Sequence, residues 1–435
     1  MISRKLFLVS STTASFVTPF TLTAVNIALP SIARTLNIDI ASINWFANVF
    51  LITMASTILL FGIIADWIGR ERVFLVGTVI YATLSLLIPF LKDFRILLIL
   101  RCFQGLGSSM VSGTAVAILA TLFPEKKGFV IGINTAAVYI GILLGPSLGG
   151  FFANYVGWEA IFVFTGITML VSSTLALLSL DLTRRASGRK PYLETLVLFI
   201  VSMILITTGS AYVVSIYGIS ALLIGLTTFI ATMYIEYRKS FNLVKQIFEK
   251  AVFLAYLVAL FSYAATFSFS ILYSKYLQLF LGFTPFQAGL LLMVQPVFQV
   301  LLSPLAGFLA DKKNPGVLVV LGVSLITCGL GISLLTYREP ILQTIPLALM
   351  GVGFAFFASP NTTQIIRRMP REAYASASAF LGSMRFTGQS LSTSILTTLE
   401  TMYRASILVN TALTTYLVLA LTGLVLAIAS VYSRK

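Results

Sequence analysis

The sequence predicts an all-α integral membrane protein of about fourteen transmembrane helices: two six-helix bundles and a central two-helix insertion. Three observations carry this. Apolar residues make up 58% of the chain and charged residues 10%, against about 25% charged in soluble domains. Such a chain lacks the polar atoms to cover a water-facing surface. Apolar stretches recur at lengths near the ~20 residues that cross a bilayer. Lysines and arginines fall between the stretches in a side-alternating pattern.

In order, the first six spans are read at 6–30, 41–65, 73–91, 96–122, 129–156 and 158–180. A pair follows at 192–213 and 215–235, then six more at 252–277, 285–310, 316–336, 341–366, 374–398 and 407–432. With the N-terminus inside and sides alternating, 21 of the 29 Lys and Arg lie on the inner side and 6 on the outer. Arg101 and Arg385 remain within helices. An odd helix count in either half would scramble that bias, so it supports both the number and the orientation, with both termini cytoplasmic. Residues 240–253 place Phe241, Val244, Ile247 and Phe248 on one helical face, the pattern of a short helix lying on the membrane surface.

The pentapeptide GIIAD at 62–66 recurs as GFLAD at 307–311, each at the inner end of the second helix of a block. The domains are therefore read as 1–181, 182–249 and 250–435. Repeated halves are a mark of secondary transporters, with the site between them near the midplane.

Composition also excludes. The net charge of +15 is spread through short loops, with no basic stripe interleaved with aromatics, so it reads as topology rather than nucleic-acid binding. There is no histidine, and the two cysteines lie inside apolar stretches. Imidazole chemistry and cysteine metal spacings are absent, and no cluster of acids, or nucleophile with its base, points to an enzyme. A membrane sensor or scaffold without transport remains as another class.

Four motifs then point to one family. Residues 62–72 read GIIADWIGRER. Glycine suits a tight turn between helices, and Asp66 is placed to meet the positive N-terminal end of a neighbouring helix. Residues 100–107 read LRCFQGLG, with Arg101, Gln104 and Ser108 on one helical face. An arginine at this depth costs at least about 2.5–3.5 kcal/mol on insertion scales, so it needs interior partners. Those partners are either carbonyls of the first helix, a structural role, or a substrate or coupling group. Residues 141–150 read GILLGPSLGG, with small residues that let helices approach closely and a proline that can bend one. The first helix ends FTLTAVNIALP at 20–30.

Together these resemble the major facilitator superfamily, in its fourteen-helix drug:proton antiporter branch, along essentially the whole chain. The resemblance implies the major facilitator fold, alternating access, and proton-coupled export of small amphipathic compounds, with no cofactor beyond the proton gradient. It implies a multi-pass monomer in the plasma membrane whose partners are the bilayer and a small-molecule substrate, not nucleic acid. It places Gly62, Asp66, Gly69, Arg70 and the repeat-related Asp311 in gating, with Asp66 against the helix that begins near Tyr374. Gly141, Gly145, Pro146, Gly149 and Gly150 form the helix-packing motif of the exporters. The branch usually carries an aspartate where this chain has Thr21.

None of the fourteen acids lies mid-membrane on these spans. Arg385, in contrast, sits on a polar or small stripe with Ser378, Gly382, Gln389 and Ser392, which faces inward if lipid is to be avoided. Two deep cations without a fixed anion favour a neutral or anionic substrate, because the guanidinium fork suits carboxylate and phosphate. Import or uniport of a small organic anion is the alternative reading. Candidate cavity residues are Asn26, Arg101, Gln104, Asn134, Gln295, Gln299, Asn361, Arg385 and Gln389, with Ser15 and Thr18. Tyr263, Phe267 and Tyr273 are candidates for an apolar wall.

Overall fold

The computed structural model describes residues 2–38, 40–181, 193–238, 249–403 and 405–432. The first six spans are α1 (Ile2–Leu36), α2 (Ile40–Ile68), α3 (Arg70–Leu87), α4 (Phe94–Leu122), α5 (Lys127–Phe151) and α6 (Glu159–Ser179). A pair follows, α7 (Leu193–Ala211) and α8 (Ile216–Arg238). Then come α9 (Lys250–Thr266), α10 (Phe269–Leu279), α11 (Pro285–Leu292), α12 (Val294–Lys312), α13 (Pro315–Thr336), α14 (Thr344–Arg368), α15 (Tyr374–Met402) and α16 (Ala405–Tyr432). Twelve stretches among the described residues are long and apolar enough to cross a bilayer. The shorter α7 and the more polar α15 complete fourteen.

Helix starts follow local chemistry. Asp93 caps α4 by accepting the backbone N–H groups of Arg95 at 2.8 Å and Ile96 at 3.2 Å. Thr284 and Gln287 form a reciprocal capping box ahead of α11. Asn314 caps α13, with Pro315 at its first position.

Two spans read as continuous are broken. The span 252–277 divides between α9 and α10, where the backbone N–H of Ser268 donates to the Ser392 hydroxyl, 3.0 Å away. The span 285–310 divides at Met293, because Pro296 has no N–H to offer the carbonyl of Leu292. The surface helix read at 240–253 lies outside the described residues up to 248. From Glu249, which precedes the first turn, the chain is already entering α9.

The chain divides into two compact units. One comprises Met1–Tyr192 with Pro370–Ala379, the other Leu193–Met369 with Phe380–Lys435. The α7–α8 pair therefore clusters with the second unit, and the first turn of α15 with the first. Within the first unit α2 and α3 both pack on α4, α3 packs on α6, and α6 on α1. Within the second, α12 and α13 both pack on α14, α13 packs on α16, and α16 on α9. The sequence repeat is thus also a repeat of neighbours.

Candidate functional site

In the first unit α2 ends at a turn on Gly69, whose φ of +116° only glycine adopts without strain. This turn aims Asp66 at the first turn of α15. The carboxylate accepts the backbone N–H of Ala375 at 3.2 Å and of Ser376 at 2.8 Å, and the Ser376 hydroxyl at 2.6 Å. Arg70 donates its Nε to the same carboxylate at 2.7 Å, one turn away on the chain. It also reaches the Thr121 hydroxyl and the carbonyl of Arg371, beside the ring of Tyr374. Lys127 donates to the Tyr374 hydroxyl at 2.7 Å. Gly62 makes the approach possible, since a Cβ there would collide with Ala379 and stand 2.9 Å from the carbonyl oxygen of Ala375. The anionic end of the motif thus meets the positive end of a helix dipole.

Asp311 occupies the repeat-related place near the end of α12. Its carboxylate accepts Arg367 of α14 at 3.3 Å, within the second unit.

Arg101 is wholly buried in the first unit. Its Nε donates to the carbonyl of Phe46 at 2.9 Å and its Nη1 to Gln104 Oε1 at 2.6 Å. The carbonyl belongs to α2, not to the first helix as expected. The guanidinium lies 4.4 Å from the ring centre of Phe50, 5.2 Å from Phe46 and 5.7 Å from Phe162, so three aromatic faces supply the negative potential that no acid does. Gln104 passes the network on to Ser85 at 2.6 Å, and Ser85 donates to the carbonyl of Tyr81. The Tyr81 hydroxyl donates to Thr21 at 2.7 Å, and Thr21 donates to its own backbone at Val17. Thr21, at the position of the family's usual acid, is therefore a satisfied hydroxyl within this buried network.

The other polar candidates of this unit bond helix to helix. Ser15 donates to Asn134 at 2.9 Å, joining α1 to α5, and Thr18 shares a hydrogen bond with Ser108 at 2.7 Å, joining α1 to α4. Asn26 stands at an exposed position of α1. Along α5, a Cβ on Gly141, Gly145 or Gly149 would collide with α1 at Phe16, Thr23 and Ala24, respectively. Gly150 departs from the expected packing face, for its nearest neighbour would be Ile27 at 3.7 Å, an ordinary contact. Pro146 lies within α5, which continues through it to Phe151.

In the second unit Asn361 is buried and donates to the carbonyl of Ala255 at 3.0 Å. Gln299 is buried, while Gln295 and Gln389 are half-buried. Arg385 is half-buried, with its guanidinium 5.8 Å from the ring centre of Tyr263. Tyr263 in turn packs against Phe354 and Phe357 of α14, with ring centres at 5.7 and 6.0 Å. Of the expected apolar wall, only Tyr263 stands here. Tyr273 is buried in the core, stacked between Phe269 and Tyr276, and Phe267 is exposed. Sequence reading missed Phe354 and Phe357, whose three-residue spacing puts both on one helix face. It also missed Ser376, Thr121 and Lys127 around Asp66, whose residue types carry no signal until α15 is placed beside α2.

Comparison with known proteins agrees with this architecture. The family model described as Major Facilitator Superfamily matches residues 12–393. The riboflavin transporter RibZ of Clostridioides difficile is 28% identical over 367 residues, covering 83% of this chain and 80% of RibZ. The multidrug resistance protein Stp of Mycobacterium tuberculosis is 26% identical over 385 residues, covering 86% of this chain and 71% of Stp. The crystal structure of the human organic anion transporter MFSD10 matches with a TM-score of 0.70 at 13% identity, covering 98% of this chain and 99% of that one, a likeness of fold.

Proposed function

The chain belongs to the major facilitator superfamily, and we propose that this multi-pass transporter exports small amphipathic compounds across the plasma membrane by alternating access, in exchange for protons. The observation that carries the reading is the Asp66 latch. A carboxylate that accepts three hydrogen bonds from the first turn of α15, and a fourth from Arg70, holds one arrangement of helices by a contact that can be broken as a unit. With the termini in the cytoplasm, as the charge bias favours, the latch lies on the inner side, where it would close the path. The exporter motif of α5 and a relative named as a multidrug resistance protein support efflux, and a relative named as a riboflavin transporter supports a small organic substrate.

Flux in proteoliposomes tests this. Riboflavin and 1-naphthoate are loaded, and release is followed with and without a proton gradient. The wild type is expected to move at least one of them, faster with the gradient. Asp66→Asn keeps the side-chain size but removes the charge. It leaves Arg70 without its carboxylate in a mostly buried place, and flux is expected to fall about tenfold, a change of ~1.4 kcal/mol in the populated barrier. Flux unaffected by Asp66→Asn would remove the latch, and indifference to the gradient would remove the exchange. A second reading, uniport or import of an organic anion, is favoured by Thr21, which gives this chain a hydroxyl where the branch carries its acid.

A further inference from the structure

Arg101 and Arg385 are both deep arginines, yet the structure treats them differently. Arg101 is wholly buried, with two hydrogen bonds, three aromatic faces and one nitrogen, Nη2, buried without a partner. Arg385 makes no hydrogen bond and no ion pair among the described residues. Its Nε is buried without a partner, while the residue as a whole stays half-open. On its own helix the next acid is Glu400, fifteen residues on and so about 22 Å along the axis, and Glu400 is already paired with Lys275 at 2.7 Å. In the second unit the other described acids of known partner, Glu249 and Asp311, are held by Arg368 and Arg367 near helix ends.

The surroundings are built rather than incidental. Gly388 lets α15 approach α9 so closely that an added Cβ would collide with the carbonyl oxygen of Leu260 and press on Tyr263 at 3.1 Å. That approach fixes Arg385 beside the Tyr263 ring. The Tyr263 hydroxyl and the side-chain amide of Gln389, one turn on from Arg385, have no hydrogen-bond partner among the described residues. The broken joint between α9 and α10 follows Tyr263 by one turn and is held by Ser392 of the same stripe. Discontinuous helices are where transporters of this kind gather substrate groups.

We propose that Arg385, Tyr263 and Gln389 form a binding site for the anionic group of an amphipathic carboxylate, with the Tyr263–Phe354–Phe357 cluster behind it. The guanidinium presents a planar fork of donors that matches a carboxylate in two parallel hydrogen bonds, and the Tyr263 hydroxyl adds a third donor. An aromatic or alkyl body then lies along apolar side chains. This rests on the transport reading, whose substrate it narrows to anions, and it assigns Arg101 no part in binding.

The test uses purified full-length protein in detergent, with equilibrium binding of radiolabelled 1-naphthoate and of its uncharged counterpart 1-naphthamide. The wild type is expected to bind the carboxylate at least tenfold more tightly than the amide. Arg385→Gln should abolish that preference and leave amide binding within about twofold. Arg385→Lys, a point charge without the fork, should keep part of the preference. Arg385→Gln that binds naphthoate like the wild type, equal loss of both ligands, or a wild type without charge preference would each overturn the proposal. Should Arg385→Gln aggregate, Arg385→Lys with unaltered preference would overturn the fork, and the wild-type charge preference would still be decisive. Charge-selective, Arg385-dependent binding without flux in proteoliposomes would sink the transport reading and leave the site standing.

Discussion

A buried arginine without a carboxylate partner raises the question of what holds its charge. For Arg101 the holders are a carbonyl, an amide oxygen and three aromatic faces. Arg101→Met, of similar length but with no donor, would leave the carbonyl of Phe46 and Oε1 of Gln104 without the donors Arg101 gives them inside the first unit. Each unmet buried acceptor costs ~1–3 kcal/mol, offset in part because a cation no longer has to be buried, so a net loss of roughly 2–3 kcal/mol is expected. A thermal melt in detergent should show the variant unfolding several degrees lower, with flux per folded molecule largely retained. An unchanged melt together with lost flux would mean that Arg101 works in transport. The sequence pointed to Arg101 through its depth and its motif and to Arg385 through its depth and its polar stripe, and left their roles open, because hydropathy locates a charge along the membrane normal but says nothing of which side chains surround it.

At the scale of the helix, small residues decide how close two backbones come. The α5 motif presents Gly145 directly to Thr23 of α1, and Gly149 to Ala24, whereas Gly150 has room. Gly145→Ala should therefore force α1 and α5 apart and lower stability by about 1–3 kcal/mol, the range for overpacking. Gly150→Ala should be nearly neutral or slightly stabilising, since alanine is the better helix former by about 1 kcal/mol. Paired melts of the two variants check the contrast, and equal effects would refute the packing account. The motif was legible as a close-packing pattern with a bend at Pro146, but nothing in it told its four glycines apart. Only the facing helix shows that the last glycine turns away. The same limit applies to the broken spans: Pro296 was visible in sequence, while the joint at Ser268 depends on Ser392, 124 positions away.

For the whole molecule, charge asymmetry between the two sides predicts orientation. With native cysteines replaced, an impermeant thiol reagent applied to intact cells should label Ser215→Cys and Glu339→Cys, but not Glu125→Cys or Glu372→Cys. The reverse pattern would invert the protein and turn the Asp66 latch into an outer one. Labelling of Ser215→Cys and Glu125→Cys alike would break the helix count. The repeat that suggested two halves reappears as matching neighbour patterns in the two units. Asp66 and the repeat-related Asp311 each accept an arginine, Arg70 and Arg367 respectively.

By itself the sequence determined the solvent, the number of crossings, the family and the aspartate that meets α15. These follow from properties local to the chain: every span must be apolar enough for lipid and satisfy its own backbone hydrogen bonds, and a short motif carries its turn and its charge together. The tertiary structure alone decided which deep arginine is enclosed and which is open. It also decided that Thr21 is bonded rather than poised for a proton, and that aromatics of α14 back Tyr263. Those outcomes depend on side chains brought together from distant helices, and in a bundle of similar apolar rods neither residue type nor spacing specifies which faces meet.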